Sequence, residues 1–264
     1  MSTLTNGFDI YTASISTGTT IAWGTLKTAV TRDFANFSGQ IASSSPMDFT
    51  FLNYASPSQT HFRWYQDDAA LGSATAISAE DVAASGSEDL TIGTRYRLRF
   101  QISNEGPASA SNNKYDLQLA RRGTSCSPGG LATGWGWMSV PLAPTLASHA
   151  FDIEASTHFV DGASTSSALL TASDPVYRAG YAMDARASSG FQTISGNNYT
   201  ELEWAIQPNN NANTSADYCF RVRRWNHSGA GTVASMSYSQ YAYAGVQASD
   251  DPTFTQNEYQ WVYN

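Results

Sequence analysis

Side chains able to carry acid–base or metal chemistry are few in this chain, and their spacing matches no metal-binding motif. The four histidines are His61, His149, His158 and His227. No pair of them has the HExxH spacing that sets two metal ligands on one helix face. The nearest grouping in the sequence joins His149 and His158 with Asp152 and Glu154. We interpret these as solvated loop residues, so the sequence predicts no metal site and no cofactor.

Paired carboxylates are the other candidates for chemistry. They occur at Asp67-Asp68, Glu80-Asp81, Glu88-Asp89 and Asp250-Asp251. A glycosidase needs two carboxyl groups facing each other across a sugar, and calcium prefers clustered oxygen ligands, but none of the pairs belongs to an Asp-x-Asp-x-Asp-Gly loop. The chain also lacks the Gly-x-Ser-x-Gly elbow of serine hydrolases. We interpret the acids as solvated surface groups, and the sequence predicts a protein without catalytic residues.

Aromatic residues provide the most suggestive binding feature. In Gly134-Trp135-Gly136-Trp137 the glycines let the indoles stand clear of the backbone, where an indole stacks on a sugar ring or anchors a protein contact. The alternative is structural, with one indole plugging the core and the other covering a sheet edge. The C-terminal part of the chain adds further tyrosines and a tryptophan. Our candidate partner-binding residues are Trp135, Trp137, Tyr241, Tyr243, Tyr259 and Trp261.

The elements that would position these side chains are β-strands. Within 95–103, apolar residues at 96, 98, 100 and 102 alternate with Arg95, Arg97, Arg99 and Gln101. This period of two predicts a strand with one buried face and one wet face that carries a ladder of arginines. We expect those arginines to pair with nearby Glu and Asp. Further strands are predicted at 61–66, 115–119, 199–206 and 217–225, with a long irregular insertion over 121–192.

Composition restricts the class of protein. Charged residues are only 14% and aromatic residues 12%, a balance typical of extracellular β-proteins and virion proteins. The net charge of −8 argues against nucleic-acid binding, which needs an accessible basic face, although Arg221, Arg223 and Arg224 form a second basic cluster. The sequence contains no apolar run of about 18 residues, so no transmembrane helix is expected. Residues 1–7 lack the pattern of a signal peptide. We expect a protein made in the host cytoplasm that reaches the outside as part of a particle.

Shifts in composition predict the domain organisation. Short strands with Ser/Gly-rich joints indicate an N-terminal strand-rich arm or small β subdomain over 1–57. The main module spans 58–246, and 247–264 is an aromatic C-terminal tail. The expected fold is all-β, an antiparallel β-sandwich of Ig-like or jelly-roll-like type with an N-terminal strand-rich extension.

The two cysteines, Cys126 and Cys219, leave two arrangements open. They either form one disulfide, which would lie outside the core or clip a loop to a strand, or they remain free thiols. A zinc site is not expected, because two cysteines without suitably spaced histidines do not bind zinc.

Several strings of the main module are informative when they are taken in order. They are His61-Phe62-Arg63-Trp64 with Asp67-Asp68, 95–100 with Ser103-Asn104, 115–119 leading to Cys126, 199–203 and 217–222. Together they resemble a sandwich-type module of large bacterial surface proteins and of some tailed-phage virion proteins, over about residues 59–225. The resemblance implies an all-β, non-catalytic, surface-displayed domain whose two cysteines pair. The 1–58 extension, the aromatic tail and the lack of a repeat array depart from it and favour a virion component.

The sequence therefore predicts a non-enzymatic structural protein that decorates or cements the exterior of a phage capsid, or serves in the tail. Its expected partners are capsid or tail proteins of the same virion and further copies of itself, in a trimer or dimer. No nucleic-acid or membrane partner is expected. The alternative is an extracellular or cell-surface carbohydrate-binding or adhesin module, which would recognise a host glycan through the 121–192 insertion with Trp135 and Trp137.

Overall fold

A computed structural model describes residues 54–143, 149–226 and 232–249. Most of the predicted N-terminal segment 1–57 and of the predicted tail 247–264 lies outside the described residues, so that division stays a prediction. The described chain consists of β-strands and one 3-10 helix, Gly86–Glu88, and none of its helices is long and apolar enough to cross a membrane.

The strands are β1 (Pro57–Gln66), β2 (Leu90–Thr91), β3 (Tyr96–Asn104), β4 (Ala110–Arg121), β5 (Met138–Ser139), β6 (Phe151–Ile153), β7 (Ala163–Thr165), β8 (Val176–Arg178), β9 (Gly180–Met183), β10 (Gln192–Ile194), β11 (Asn198–Pro208), β12 (Tyr218–Asn226), β13 (Thr232–Val233), β14 (Ser237–Tyr238), β15 (Ala242–Ala244) and β16 (Val246–Gln247).

The strands form two large sheets and one small sheet. The first sheet has the order β14-β1-β3-β11-β9-β7, with β6 and β8 also paired to β11. The second sheet has the order β10-β4-β12-β13, with β15 on β12 and β5 on β4, and the small sheet pairs β16 with β2. The long strands pair antiparallel, as predicted. The purely antiparallel prediction is wrong for some of the short strands, because β8 and β9 of the insertion run parallel to β11, β14 runs parallel to β1, and β16 runs parallel to β2.

The alternating pattern explains the pairing of the long strands. On β3, Leu98 lies opposite Trp64 of β1 and Trp204 of β11, so that apolar side chains meet in a row across three strands. A slip of one residue would turn this whole row to the polar face. The strands predicted at 61–66, 95–103, 115–119, 199–206 and 217–225 are confirmed as β1, β3, β4, β11 and β12, although β3 and β12 begin and end one residue later than predicted.

Apolar side chains from both large sheets pack in one core. The Trp64 ring of β1 lies 5.3 Å from the Phe220 ring of β12, nearly perpendicular to it at 81°. The Phe151 ring of β6 lies 5.0 Å from the same Phe220 ring at 89°. Edge-to-face pairs of this kind contribute about 0.5–1.5 kcal/mol beyond their buried area. These ring contacts therefore tie the first sheet to the second.

The arginine face of β3 is buried, which makes the prediction of a wet face wrong. Arg97 and Arg99 are only 0% and 1% exposed. The insertion folds over them: the carbonyl of Ser167 accepts from Arg99, and the Phe159 ring centroid lies 5.1 Å from Arg97 Cζ. Alternation indicates that one face of a strand is polar, but it does not reveal which segment of the chain covers that face.

Carboxylates neutralise these buried arginines, and this part of the prediction is confirmed. Arg99 Nε donates to Glu203 at 2.5 Å, and Arg99 Nη1 donates to Glu201 at 2.9 Å. Arg97 Nε donates to Asp67 Oδ1 at 2.7 Å. Glu201 also accepts the backbone N–H groups of 169–170, so this carboxylate binds the covering segment as well as the arginine. The polar side of the first sheet is thus a buried ion-pair network.

Cys126 and Cys219 form a disulfide, the first of the two arrangements left open above. Cys126 lies in the loop that follows β4, and Cys219 lies on the outward side of β12. The two residues are 7% and 0% exposed. The bond therefore clips the start of the insertion onto β12.

Candidate functional site: an aromatic–arginine face

The outward side of the second sheet carries the candidate site. Alternation along β12 sends Phe220 and Val222 into the core and turns Arg221 and Arg223 outward. The chain just before β5 and the chain around β14 flank these arginines. We call this site the aromatic–arginine face, and its half-buried members are Trp137, Arg221, Arg223, Trp225, Tyr238 and Tyr241.

Three rings of the face form a stack. The Tyr241 ring lies 5.7 Å from the Trp137 ring with an interplanar angle of 18°, and 5.4 Å from the Tyr238 ring at 20°. These separations are within the range of offset-stacked aromatic pairs. The hydroxyl of Tyr238 donates to the carbonyl of Val222 at 2.9 Å, which fixes that end of the stack to β12. The rings are therefore held in one geometry by the chain itself.

Arg221 joins the stack without a carboxylate partner. Its Cζ lies 4.3 Å from the Trp137 ring centroid and 5.1 Å from that of Tyr238, both within cation–π range. Its Nε donates to the amide oxygen of Gln118 at 2.9 Å. Among the described residues no Asp or Glu forms an ion pair with Arg221. The guanidinium therefore contacts rings and an amide, and no described carboxylate lies within ion-pair distance of it.

Arg223, in contrast, is neutralised within the chain. Its Nε and Nη2 donate to the two carboxylate oxygens of Asp116 at 3.0 and 2.5 Å, a bidentate arrangement. Trp225 Nε1 and the hydroxyl of Ser139 donate to the same carboxylate at 2.7 and 2.9 Å. Asp116 is 4% exposed. This buried carboxylate therefore accepts hydrogen bonds from Arg223, Trp225 and Ser139 at once.

Burial sets the ionisation of the face. Desolvation lowers the pKa of Arg221 and raises the pKa of both Tyr238 and Tyr241. An arginine remains charged in proteins even when its pKa falls, while the two phenols stay neutral. At neutral pH the stack thus presents one positive charge beside uncharged hydroxyl groups.

Two of the candidate partner-binding residues, Trp137 and Tyr241, belong to this face. Trp135 instead meets the core residue Tyr218 edge to face, with ring centroids 6.5 Å apart at 76°. Tyr243 lies on β15, and its ring centroid is 4.2 Å from the Cζ of Arg122 rather than near Arg221. The last two candidates, Tyr259 and Trp261, lie outside the described residues.

Sequence reasoning missed the arginines and Tyr238 as members of the site. In the sequence, Arg221 and Arg223 stood out only as part of a basic cluster, expected to pair with nearby carboxylates rather than to bind a partner. A usable signal was present, because 221, 223 and 225 alternate with the apolar residues 220 and 222 and so had to share the outward face. What the sequence did not contain was the pairing that brings Trp137 and Tyr241 to that face.

A separate group of ligand-type side chains lies on the first sheet. His61 Nδ1 is 3.2 Å from Glu80 Oε1 and 2.6 Å from Asp81 Oδ2. Within the described ranges it is the only group of three such residues whose possible ligand atoms converge. The grouping considered from the sequence, His149, His158, Asp152 and Glu154, forms no such cluster; Asp152 instead accepts a hydrogen bond from Asn209 at 2.8 Å, and burial raises its pKa.

Comparison with known proteins adds no relative. The chain matches no protein-family model, no curated protein and no solved structure. The resemblance to a surface and virion module therefore stays a prediction, and a function has to be argued from the residues of the face.

Proposed function

We propose that this chain is a non-enzymatic structural protein of a phage virion, which decorates or cements the exterior of the capsid, or serves in the tail. It would bind neighbouring virion proteins through the aromatic–arginine face. The observation that carries the proposal is the preorganised stack of Trp137, Tyr241 and Tyr238 beside the unpaired Arg221. Its place is the virion exterior, and copies of the same chain in a trimer or dimer are among its neighbours.

The residue types of the face are those that dominate binding energy at protein interfaces, namely Trp, Tyr and Arg. Here they form one contiguous cluster, since the Arg221 guanidinium contacts both the Trp137 and the Tyr238 rings. The stacking already restricts the rings, so a partner would order few side chains on binding. An acidic side chain of the partner would pair with Arg221.

The ring contacts favour a protein partner over a sugar. A sugar ring stacks on an open aromatic face, whereas the Trp137 ring is already in contact with the Tyr241 ring and the Arg221 guanidinium. The other indole of the loop, Trp135, faces the core residue Tyr218. A glycan would have to displace these contacts to stack on the Trp137 ring, while a protein partner can also pair with the Arg221 guanidinium and the tyrosine hydroxyl groups.

The proposed scaffold is a β-sandwich, Ig-like or jelly-roll-like, made by the two large sheets. The packing of Trp64 from the first sheet on Phe220 from the second supports this architecture. The buried ion-pair network and the Cys126–Cys219 bond add rigidity on either side of the core. The net charge of −8 suits an exterior protein that does not compete for packaged DNA.

The experiment is co-sedimentation of the purified chain with capsids and with tails that lack it. We expect Trp137→Ala and Arg221→Gln each to weaken binding by about 30-fold or more, the effect of losing a residue that dominates an interface. Trp135→Ala is the matched control, an indole removed from the same loop but outside the stack, and it should leave binding intact.

Two outcomes would contradict the proposal. One is a chain that stays monomeric and sediments with neither capsids nor tails. The other is binding to isolated glycans or host cells that Trp135→Ala abolishes, which would support the adhesin alternative instead.

A further inference from the structure

A second site lies on β1, away from the aromatic–arginine face. His61 projects from β1, while Glu80 and Asp81 lie in the loop that follows the strand and hydrogen-bonds back to it, with Asp81 N donating to the Phe62 carbonyl at 2.9 Å. The three possible ligand atoms lie within 4.8 Å of one another. We propose that His61, Glu80 and Asp81 bind a divalent cation of the Zn²⁺ type.

The donor set selects the class of cation. One imidazole nitrogen with two carboxylate oxygens suits Zn²⁺ or Mn²⁺, whereas Ca²⁺ takes oxygen ligands only. With metal–ligand bonds of about 2.0–2.2 Å, neighbouring ligand atoms lie about 3–3.5 Å apart. The 3.2 Å between His61 Nδ1 and Glu80 Oε1 already has this value. The 2.6 Å contact with Asp81 Oδ2 has to open by less than about 1 Å.

Both carboxylates are oriented by groups outside the cluster. Asp81 Oδ1 accepts the backbone N–H of Phe62 at 3.0 Å, which turns Oδ2 toward the imidazole. Glu80 accepts the backbone N–H of Thr171 at 3.0 Å and its hydroxyl at 3.3 Å. Hydrogen bonds of this kind orient ligating carboxylates in metal sites. A bound cation would thereby join β1, the loop after it and the insertion that covers the buried arginines.

The cluster also has an electrostatic reason to take a cation. The His61 Nδ1 carries one N–H at most, so it donates to only one of the two carboxylates that approach it. The other carboxylate then faces a like charge at short range. The three side chains are only 16–26% exposed, so water screens this repulsion incompletely. A divalent ion between the two carboxylates and the imidazole removes the repulsion and binds all three ligand atoms.

The experiment is isothermal titration of the full chain, prepared without a histidine tag and treated with chelator, with ZnCl₂, MnCl₂ and CaCl₂. We expect one Zn²⁺ per chain and a midpoint of thermal unfolding that rises with Zn²⁺ concentration. Asp81→Asn and Glu80→Gln should each weaken Zn²⁺ binding by about tenfold or more, and His61→Ala should abolish it.

Two features of the design separate loss of the site from loss of the fold. Asp81 has a backbone φ of 60°, a conformation that Asn also tolerates, and the Asn oxygen still accepts from Phe62, so Asp81→Asn should keep the unfolding midpoint without metal. His158→Ala removes an exposed histidine elsewhere and should bind Zn²⁺ normally. Absence of binding with both Zn²⁺ and Mn²⁺, equal binding in Asp81→Asn, or a preference for Ca²⁺ would overturn the proposal.

Discussion

Replacing Arg99 with methionine is the most decisive test of the buried arginine face. Met fills much of the volume of the arginine stem but removes the guanidinium. The bonds lost are those to Glu203 at 2.5 Å, to Glu201 at 2.9 Å and to the Ser167 carbonyl at 3.3 Å. Two carboxylates, 0% and 2% exposed, then remain inside the protein without this partner.

The expected loss of stability follows from this burial. Removing one partner of a buried ion pair costs about 3–5 kcal/mol, because the charge left behind is uncompensated, whereas an exposed pair is worth about 0–1 kcal/mol. Glu201 keeps the backbone N–H groups of 169–170, and Glu203 keeps Arg97 at 3.5 Å. We therefore expect Arg99→Met to lower the free energy of unfolding by about 3 kcal/mol, the lower end of that range.

The assay is equilibrium unfolding in urea followed by tryptophan fluorescence, since Trp64 and Trp204 are fully buried. Arg186→Met is the matched control, because Arg186 pairs with Asp161 but its side chain is 43% exposed, and we expect a loss below about 1 kcal/mol. A loss for Arg99→Met no larger than that of the control would refute the reasoning. So would a loss that about 1 M salt largely removes, since salt screens exposed pairs far more than buried ones.

Two other changes test the scaffold. Reducing the Cys126–Cys219 bond, which joins residues 93 positions apart, should lower the free energy of unfolding by up to about 4–5 kcal/mol, measured in urea with and without reductant; an unchanged unfolding midpoint would contradict a structural role for the bond. Asp184→Asn should stabilise the protein near about pH 7, because burial raises the pKa of this carboxyl and its ionised form costs folding energy above that pKa. That gain in the free energy of unfolding should fade as the pH falls through the raised pKa toward the ordinary 3.8. Urea unfolding at several pH values measures it, and a gain of constant size across this range would show that the carboxyl charge does not cause the stabilisation.

Strand positions were predictable because the period of two is a local property. The alternation at 95–103 located β3 correctly, but the covering of its arginines by the insertion was not predictable from that strand. The matching signal lay elsewhere, in Glu201 and Glu203, which alternate with Leu202 and Trp204 in the same way. Two strands with complementary charges on their polar faces indicate a buried network once they are known to pair, and that pairing joins residues about a hundred positions apart.

The candidate site was predictable only in part. Trp137 and Tyr241 stood out as aromatic residues in loops, and both belong to the face. Their meeting depends on β5 pairing with β4 and β15 pairing with β12, which brings segments about a hundred residues apart to one side of the second sheet. No local pattern encodes such pairings, so the role of Arg221 between these rings appears only in the folded chain.

The two arginine-bearing strands differ in the groups that their charges contact, and this difference separates a structural arginine from a candidate binding arginine. On β3 the charge of Arg99 is neutralised inside the molecule by the carboxylates of Glu201 and Glu203. On β12 the charge of Arg221 meets rings and an amide. Desolvation lowers its pKa despite the opposing effects of Tyr238, Tyr241 and Asp116.

Arg221→Gln should therefore change the free energy of unfolding by less than about 1 kcal/mol. The gain from removing a half-buried charge offsets the loss of its cation–π contacts. The same substitution should weaken partner binding by about 30-fold or more. Arg99→Met should show the reverse, with reduced stability and normal binding at temperatures where the variant is folded. If Arg221→Gln unfolds the protein as readily as Arg99→Met does, the aromatic–arginine face is part of the scaffold, and the binding surface lies elsewhere on the molecule.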